Sequence, residues 1–386
     1  MKITRIDAFQ VRWTPDEKPS QHSAFVRVHT DDGIDGIGEA SPMLGGRASL
    51  GIIRHDLAPT LIGKDPLDHA VLLDTLLHTC VKLGPEGALT GALAALDIAL
   101  WDIKGKLTNL PITKLLGGAW RTALPFYASI GGNGDRSLDD VLRVVEARLK
   151  DQPAAIKIRF DNPRTLLDRD IPGDIAKARA VRRLVGDAFP LAFDANNGFT
   201  TGGAIRVGRA LEELGYWWFE EPVQHYHVKA MGEVARALDI TVSAGEQTYT
   251  LAALADLIDA GVRMVQPDIV KMGGIFARKR SRRVSLLSRN LPLRVVPLVR
   301  CAALAHAHGV ELVSHQTQPM IGHMANMHVV AAQLQASKPI EWNDPSTRTH
   351  AVFENPPKPV NGLFHLPDGP GLGLQVNEAE LEKRKV

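Results

Sequence analysis

Two runs near the start of the chain, Ile3–Trp13 and Ser23–Thr30, alternate apolar and polar residues, the period-two pattern of strands with one buried face. Asp31-Asp32-Gly33 follows as a turn signal, so the pair reads as an antiparallel sheet. Between the runs, the polar stretch Thr14–His22 contains two prolines and reads as a hairpin loop or a lid. Residues 51–117 change to apolar spacings of three and four, which predicts helices. The clearest, Gly87–Lys106, carries a stripe of Gly and Ala on which a neighbouring element can pack closely. Within it, Asp97 and Asp102 read as a solvated face or as hydrogen bonds from helix to loop. Leu115-Leu116-Gly117-Gly118 closes the helical region with a C-cap signal.

From Ala123 the rhythm becomes strand, turn, helix. Eight β-prone runs end at Ser129, Lys157–Arg159, Asp194, Glu220, Glu246, Asp268, His315 and Glu341. Parallel strands with crossover helices fit this rhythm and predict an α/β fold, a TIM-type barrel over 121–345. Residues 1–120 then form an α+β domain ahead of it. The Pro/Gly-rich segment 346–386 lacks a core of its own and is expected to return to that first domain.

Asp194, Glu220 and Glu246 are separated by 26 residues each time. That is roughly one strand-plus-helix unit of a barrel of about 250 residues. The three carboxylates are therefore expected at one level on adjacent strands, converging where the carboxyl ends open. Three converging carboxylates raise one another's pKa unless a cation lies among them. An all-oxygen set without Cys or His favours a hard divalent ion, Mg²⁺ ahead of Mn²⁺. On the strand before, Lys157 and Arg159 share one side, where they would neutralise an anionic substrate or a developing anion. Asp268 and His315 end successive strands. A carboxylate on one imidazole nitrogen fixes the tautomer and strengthens the other nitrogen, which makes His315 the candidate general base. His323 and His328, on the helix that follows, read as packing or rim residues, and Lys271 reads as structural.

Taken in order, Lys157-Ile158-Arg159, DANNG at Asp194, FEEP at Glu220, AGEQ at Glu246, QPDIVKMGG at Asp268, SHQTQP at His315 and IEWNDP at Glu341 resemble the mandelate racemase subgroup of the enolase superfamily. ALDIALWDIKGK and LLGG resemble that family's sequence ahead of its barrel. The resemblance implies a (β/α)₇β barrel capped by an α+β domain built from both chain termini. It also implies Mg²⁺ on Asp194, Glu220 and Glu246, with the substrate carboxylate on the metal and its α-proton removed to give an enediolate. Lys157 would stabilise that anion, and Glu341 matches the acid that hydrogen-bonds the far carboxylate oxygen. Racemases of the subgroup have lysine where this chain has Arg159, and a guanidinium hardly deprotonates. A single base favours a one-sided reaction, β-elimination of water from a sugar acid. Asn196, Asn197 and Gln316 suit a polyhydroxylated carboxylate substrate, and His22 would reach it from the cap. The muconate-lactonizing subgroup carries lysine where this chain has Asp268. A homo-oligomer, from dimer to octamer, is also expected.

Composition adds limits. The net charge of +2 hides a basic run, Arg278 to Arg300, with eight Lys and Arg and no acid, without which the balance would be −6. Lacking interleaved aromatics and a reading motif, the run is poor support for nucleic-acid binding. The interval from Asp268 to His315 is 47 residues, about twenty in excess, and the excess coincides with that run. It reads as a surface insertion, a partner site or a frame artefact. Cys80 and Cys301 lie far apart, no apolar run is long enough to span a membrane, and Met1–Gln10 lacks the features of a signal peptide, so a cytoplasmic protein is expected. The leading expectation is a Mg²⁺-dependent acid-sugar dehydratase. A racemase, an epimerase or a lactone cycloisomerase shares its first step, and a catalytically impaired metal-binding homologue is the alternative of another class.

Overall fold

The computed structural model describes residues 1–13, 21–84, 86–275, 298–318, 320–343 and 349–386. The expectations for Thr14–Ser20 and for most of the basic run thus lie outside the described residues. Its end does not, because Leu298–Ala307 is a helix.

Strands β1 (Ile3–Arg12), β2 (His22–Thr30) and β3 (Asp35–Ala40) form an antiparallel sheet. The helix Ala88–Thr108 lies on it, and contact is close because Gly36 and Gly38 face the Ala99 and Ala95 carbonyls, where any Cβ would collide. Here the small-residue stripe meets glycines on the sheet. A cluster of Val26, Val28, Leu93, Leu96 and Leu100 fills this cap.

Eight parallel strands follow: β4 (Ala123–Ile130), β5 (Ala155–Arg159), β6 (Leu191–Asp194), β7 (Trp218–Glu220), β8 (Thr241–Ala244), β9 (Met264–Val265), β10 (Glu311–Leu312) and β11 (Ile340–Asn343). Each pairs with the next from β4 to β10, and β11 pairs with β4. Among the described residues no ladder joins β10 to β11. Two side chains bridge that seam: the Gln316 amide donates to Glu341 Oε2 at 2.9 Å, and Asn343 Nδ2 donates to the Gln316 carbonyl at 2.9 Å. The fold is the expected capped TIM-type barrel. Its interior is plugged below the mouth by Tyr127, Ala155, Ala192, Trp218, Met264 and Val313.

Helices between strands start at side-chain caps, with Ser137, Asp170, Thr200 and Thr250 each accepting an amide of the first turn. Beyond the barrel, β12 (Leu363–His365) adds antiparallel to β4. The chain then returns to the cap sheet, where Val386 donates to the Gln10 carbonyl and Arg384 to that of Trp13. Asp97 and Asp102 prove fully buried, so the solvated-face reading fails. Asp97 holds His69 and the Ile275 amide, and Asp102 the amides of Ile37 and Leu372.

Arg182 fixes the entry to the two strands that carry the first acids. Its buried guanidinium donates to the carbonyls of Gly186, Asp187 and Phe189, before β6, and of Leu214 and Gly215, before β7. Arg182→Met leaves these five acceptors without a donor and should cost about 3 kcal/mol of stability in chemical denaturation.

Candidate active site

Asp194 and Glu220 end β6 and β7 and are register partners, and Arg159 at the end of β5 is the partner of Asp194. Alternation turns Lys157, Arg159, Asp194 and Glu220 into the barrel mouth, above the plug of Tyr127 and Trp218. Glu246 departs from the common level. The partner of Glu220 is Ser243, so Glu246 stands three residues higher, in the loop after β8. The helix of the second interval, Val228–Ala237, has 10 residues against 13 in Thr201–Glu213. The three residues it does not use fall beyond the strand instead.

Lys157 Nζ lies 2.6 Å from Glu220 Oε1, 2.9 Å from Glu341 Oε1 and 3.8 Å from Asp194 Oδ2. The second oxygen of Glu220 accepts from Gln266 Nε2 at 2.7 Å and from Trp218 Nε1 at 3.0 Å. His315 Nδ1 is 2.7 Å from Asp268 Oδ2, and its Nε2 is 2.8 Å from Glu246 Oε2. Gln318 Nε2 donates to both Asp268 oxygens. Lys271, read from sequence as structural, is buried inside this group, 3.8 Å from Asp268 and 3.9 Å from Glu246.

Burial strips these carboxylates of water, and their charges then act on one another. Burial and the charges of Glu220 and Glu246 push Asp194 well above the usual carboxylate range, against the pull of Lys157. Burial, Glu246 and Asp194 do the same to Glu221, whose Oε2 accepts from Asn197. Glu246 and Glu341 go the other way. Burial would raise both, but His315 and Lys271 hold Glu246 well below its range, and Lys157 and His315 bring Glu341 down to about 2. Glu341 is therefore an acceptor for Lys157 and Gln316. It cannot also donate to a substrate carboxylate while it is ionised. Burial would lower the His315 pKa, yet Glu246, Glu341 and the bond to Asp268 outweigh it and Lys271 and raise it to about 10.

Of the remaining expected residues, His22 lines a cavity of about 560 Å³ between cap and barrel, together with Arg159. Asn196 is turned towards the rim, where its Oδ1 accepts from Arg164 at 2.7 Å. Gln316 donates its side-chain amide to the Gln318 carbonyl and serves the seam through its backbone. His323 packs against Phe364, and His328 holds Thr113 and the Leu372 carbonyl, as packing residues do. Glu221 and Gln318 escaped the sequence reading. Gln266, two residues before Asp268, and Trp218, two before Glu220, were within reach of the strand alternation.

A divalent cation suits the donors present. Among the described residues, no hydrogen-bond donor reaches the buried Asp194 Oδ2 or Glu221 Oε1, and every nearby acid oxygen is a hard ligand. Among the described residues no three His, Cys, Asp or Glu already surround one metal position, because Glu246 is engaged by His315 and Glu220 by Lys157. Loading would require Glu246 to leave His315.

Residues 9–117 match the mandelate racemase/muconate lactonizing enzyme N-terminal domain, and residues 140–291 and 294–380 match the enolase C-terminal domain-like family. The chain belongs to the mandelate racemase/muconate lactonizing enzyme family. It is 30% identical to the L-talarate/galactarate dehydratase of Salmonella typhimurium over 94% of this chain and 83% of that one. With the D-galactarolactone cycloisomerase of Agrobacterium fabrum it shares 31% identity over 100% and 99% of the two chains. The crystal structure of a mandelate racemase/muconate lactonizing protein from Paracoccus denitrificans complexed with magnesium is similar at 60% identity, with a TM-score of 0.91 over 100% and 98% of the chains. Relatives in this family are thus enzymes named as dehydratases and cycloisomerases. No helix among the described residues is long and apolar enough to cross a membrane.

The raised pKa has a signed consequence in metal-free protein. His315 is protonated when folded, so its stabilising contribution is complete below the unfolded value near 6.5 and is lost as pH rises through about 10. NMR titration of the ring should place the midpoint near pH 10 and show it falling in Glu246→Gln.

Proposed function

We propose that the chain is a Mg²⁺-dependent acid-sugar dehydratase, with Asp194, Glu220 and Glu246 as the metal ligands. The observation that carries this reading is the Asp268–His315 dyad at 2.7 Å, opening on the same buried mouth as Lys157 and the acids. A bound metal ion would offset the carboxylates and polarise the substrate carboxylate.

His315 Nε2, freed from Glu246, takes the proton α to the substrate carboxylate while Asp268 holds Nδ1. Lys157 faces the carboxylate oxygens on which negative charge develops, and Glu341 fixes the direction of its ammonium. Gln318 in turn pins Asp268. The protonated imidazole then donates to the departing β-hydroxyl. Water leaves, and the enol that remains becomes a 2-keto-3-deoxy acid. Among the described residues, Arg159, which stands where racemases of the family have their second base, does not repeat the first step, because it is paired with Asp161 at 2.7 Å and its pKa is raised further. One base therefore supports elimination and disfavours racemisation. The similarity to dehydratases supports the same reading; the similarity to a cycloisomerase keeps a lactone opened by α-proton removal as the second.

In D₂O, incubation with acid sugars should yield 2-keto-3-deoxy acid and no C2-inverted substrate; inverted substrate with deuterium at C2 would count against the one-sided assignment. His315→Asn should lower kcat by roughly 10²–10⁴-fold while Mg²⁺ binding by calorimetry is retained or tightened, because Glu246 no longer has to leave the imidazole at 2.8 Å.

A further inference from the structure

The cavity between cap and barrel lies directly above the proposed catalytic layer. From the barrel it is lined by Arg159, Thr317 and Asn343, each two residues beyond Lys157, His315 and Glu341 respectively. From the cap it is lined by Gln21, His22 and Arg47. Among the described residues this lining holds two arginines and no Asp or Glu.

The two guanidiniums are not equivalent. Arg159 is already neutralised, its Nε and one terminal nitrogen lying on the two oxygens of Asp161 at 2.7 and 3.2 Å. Among the described residues, Arg47, which begins the helix Arg47–Ile52, gives only its Nε, to the Leu44 carbonyl at 3.3 Å, and no carboxylate pairs with it. The field at the cap end is positive: burial and the charges of Arg12 and Arg47 hold the His22 imidazole below its usual range. A planar guanidinium with free terminal nitrogens matches a carboxylate through two parallel hydrogen bonds.

We infer that the substrate is a dicarboxylate, an aldarate, with Arg47 binding the carboxylate at the end remote from the reacting one. This rests on the dehydratase reading above, which places the reacting carboxylate at Lys157 and leaves the far end of an extended acid sugar in this cavity. An aldonate would place an uncharged primary alcohol there and leave Arg47 without an anion. Arg47 is thus the specificity-determining residue, and it touches neither the base nor the acids.

Binding can be read in His315→Asn, whose turnover is expected to be too slow to consume either acid during a titration. Calorimetry with galactarate and galactonate, in the presence of Mg²⁺, should show the diacid bound roughly 10–100-fold more tightly, the range expected for a charged hydrogen-bonded pair. Adding Arg47→Gln should reduce that preference to about threefold or less, and Arg47→Lys should restore part of it. Equal affinity for the two acids, or a preference unchanged by Arg47→Gln, overturns the inference. If the preference and its loss are seen but wild-type protein forms no keto acid, the dicarboxylate site stands and the dehydratase reading falls. If wild-type protein dehydrates aldonates and no preference exists, the reverse holds.

Discussion

Six carboxylates buried in one barrel mouth set the terms for the rest of the molecule. Asp194, Glu220, Glu221, Glu246, Asp268 and Glu341 are each at most 6% exposed. Charges removed from water persist only when paired, so the mouth also contains Lys157, Lys271 and His315. The pairing is uneven. Lys157 and His315 draw Glu341 and Glu246 down, whereas Asp194 and Glu221 keep an oxygen each without a donor and are pushed up. That residue of negative charge is what a divalent ion would relieve. A cation held by Asp194, Glu220 and Glu246 as proposed would have to compete with His315 for Glu246.

The cap is fastened to the barrel by the same kind of bond. Glu39 on β3 accepts the Gly322 amide at 3.0 Å, Asp97 the Ile275 amide, and Asp102 the Leu372 amide at 2.9 Å. Each carboxylate reaches from cap to barrel or tail and ends on a backbone N–H. A charged acceptor on a buried amide is stronger than a neutral one and fixes direction. The cavity floor and roof are therefore held in register by acids that do no chemistry. A lid loop attached to such a cap can vary without disturbing the mouth, which is how a rigid barrel accommodates different acids.

Much of this was legible in the sequence because a strand has only two sides. Lys157 with Arg159 and Asp268 beside His315 follow from alternation and from strand order, and the constant interval of 26 residues drew attention to Asp194, Glu220 and Glu246. Legibility stopped where the strands stop. Glu246 lies past β8, at a height set by how many residues the preceding helix consumed, and interval length does not encode that. Lys271 and Gln318 sit on irregular backbone, whose side-chain directions have no period. Asn196 has a left-handed φ of 47°, which swings its amide to Arg164 and away from the mouth.

Arg159 shows why a motif residue has to be weighed with its neighbours. Its guanidinium is a poor base by itself, and the one-sided reaction proposed above has a second support. Asp161, two residues on and anchored by the Gly132 amide at 2.5 Å, places a carboxylate against it. A lysine in the same place would meet that carboxylate and keep its proton, since a nearby negative charge stabilises the ammonium. A second base opposite His315 would therefore require the loss of Asp161 as well as of the guanidinium. In the proposed reaction, the direction of proton transfer would rest on this Arg159–Asp161 ion pair.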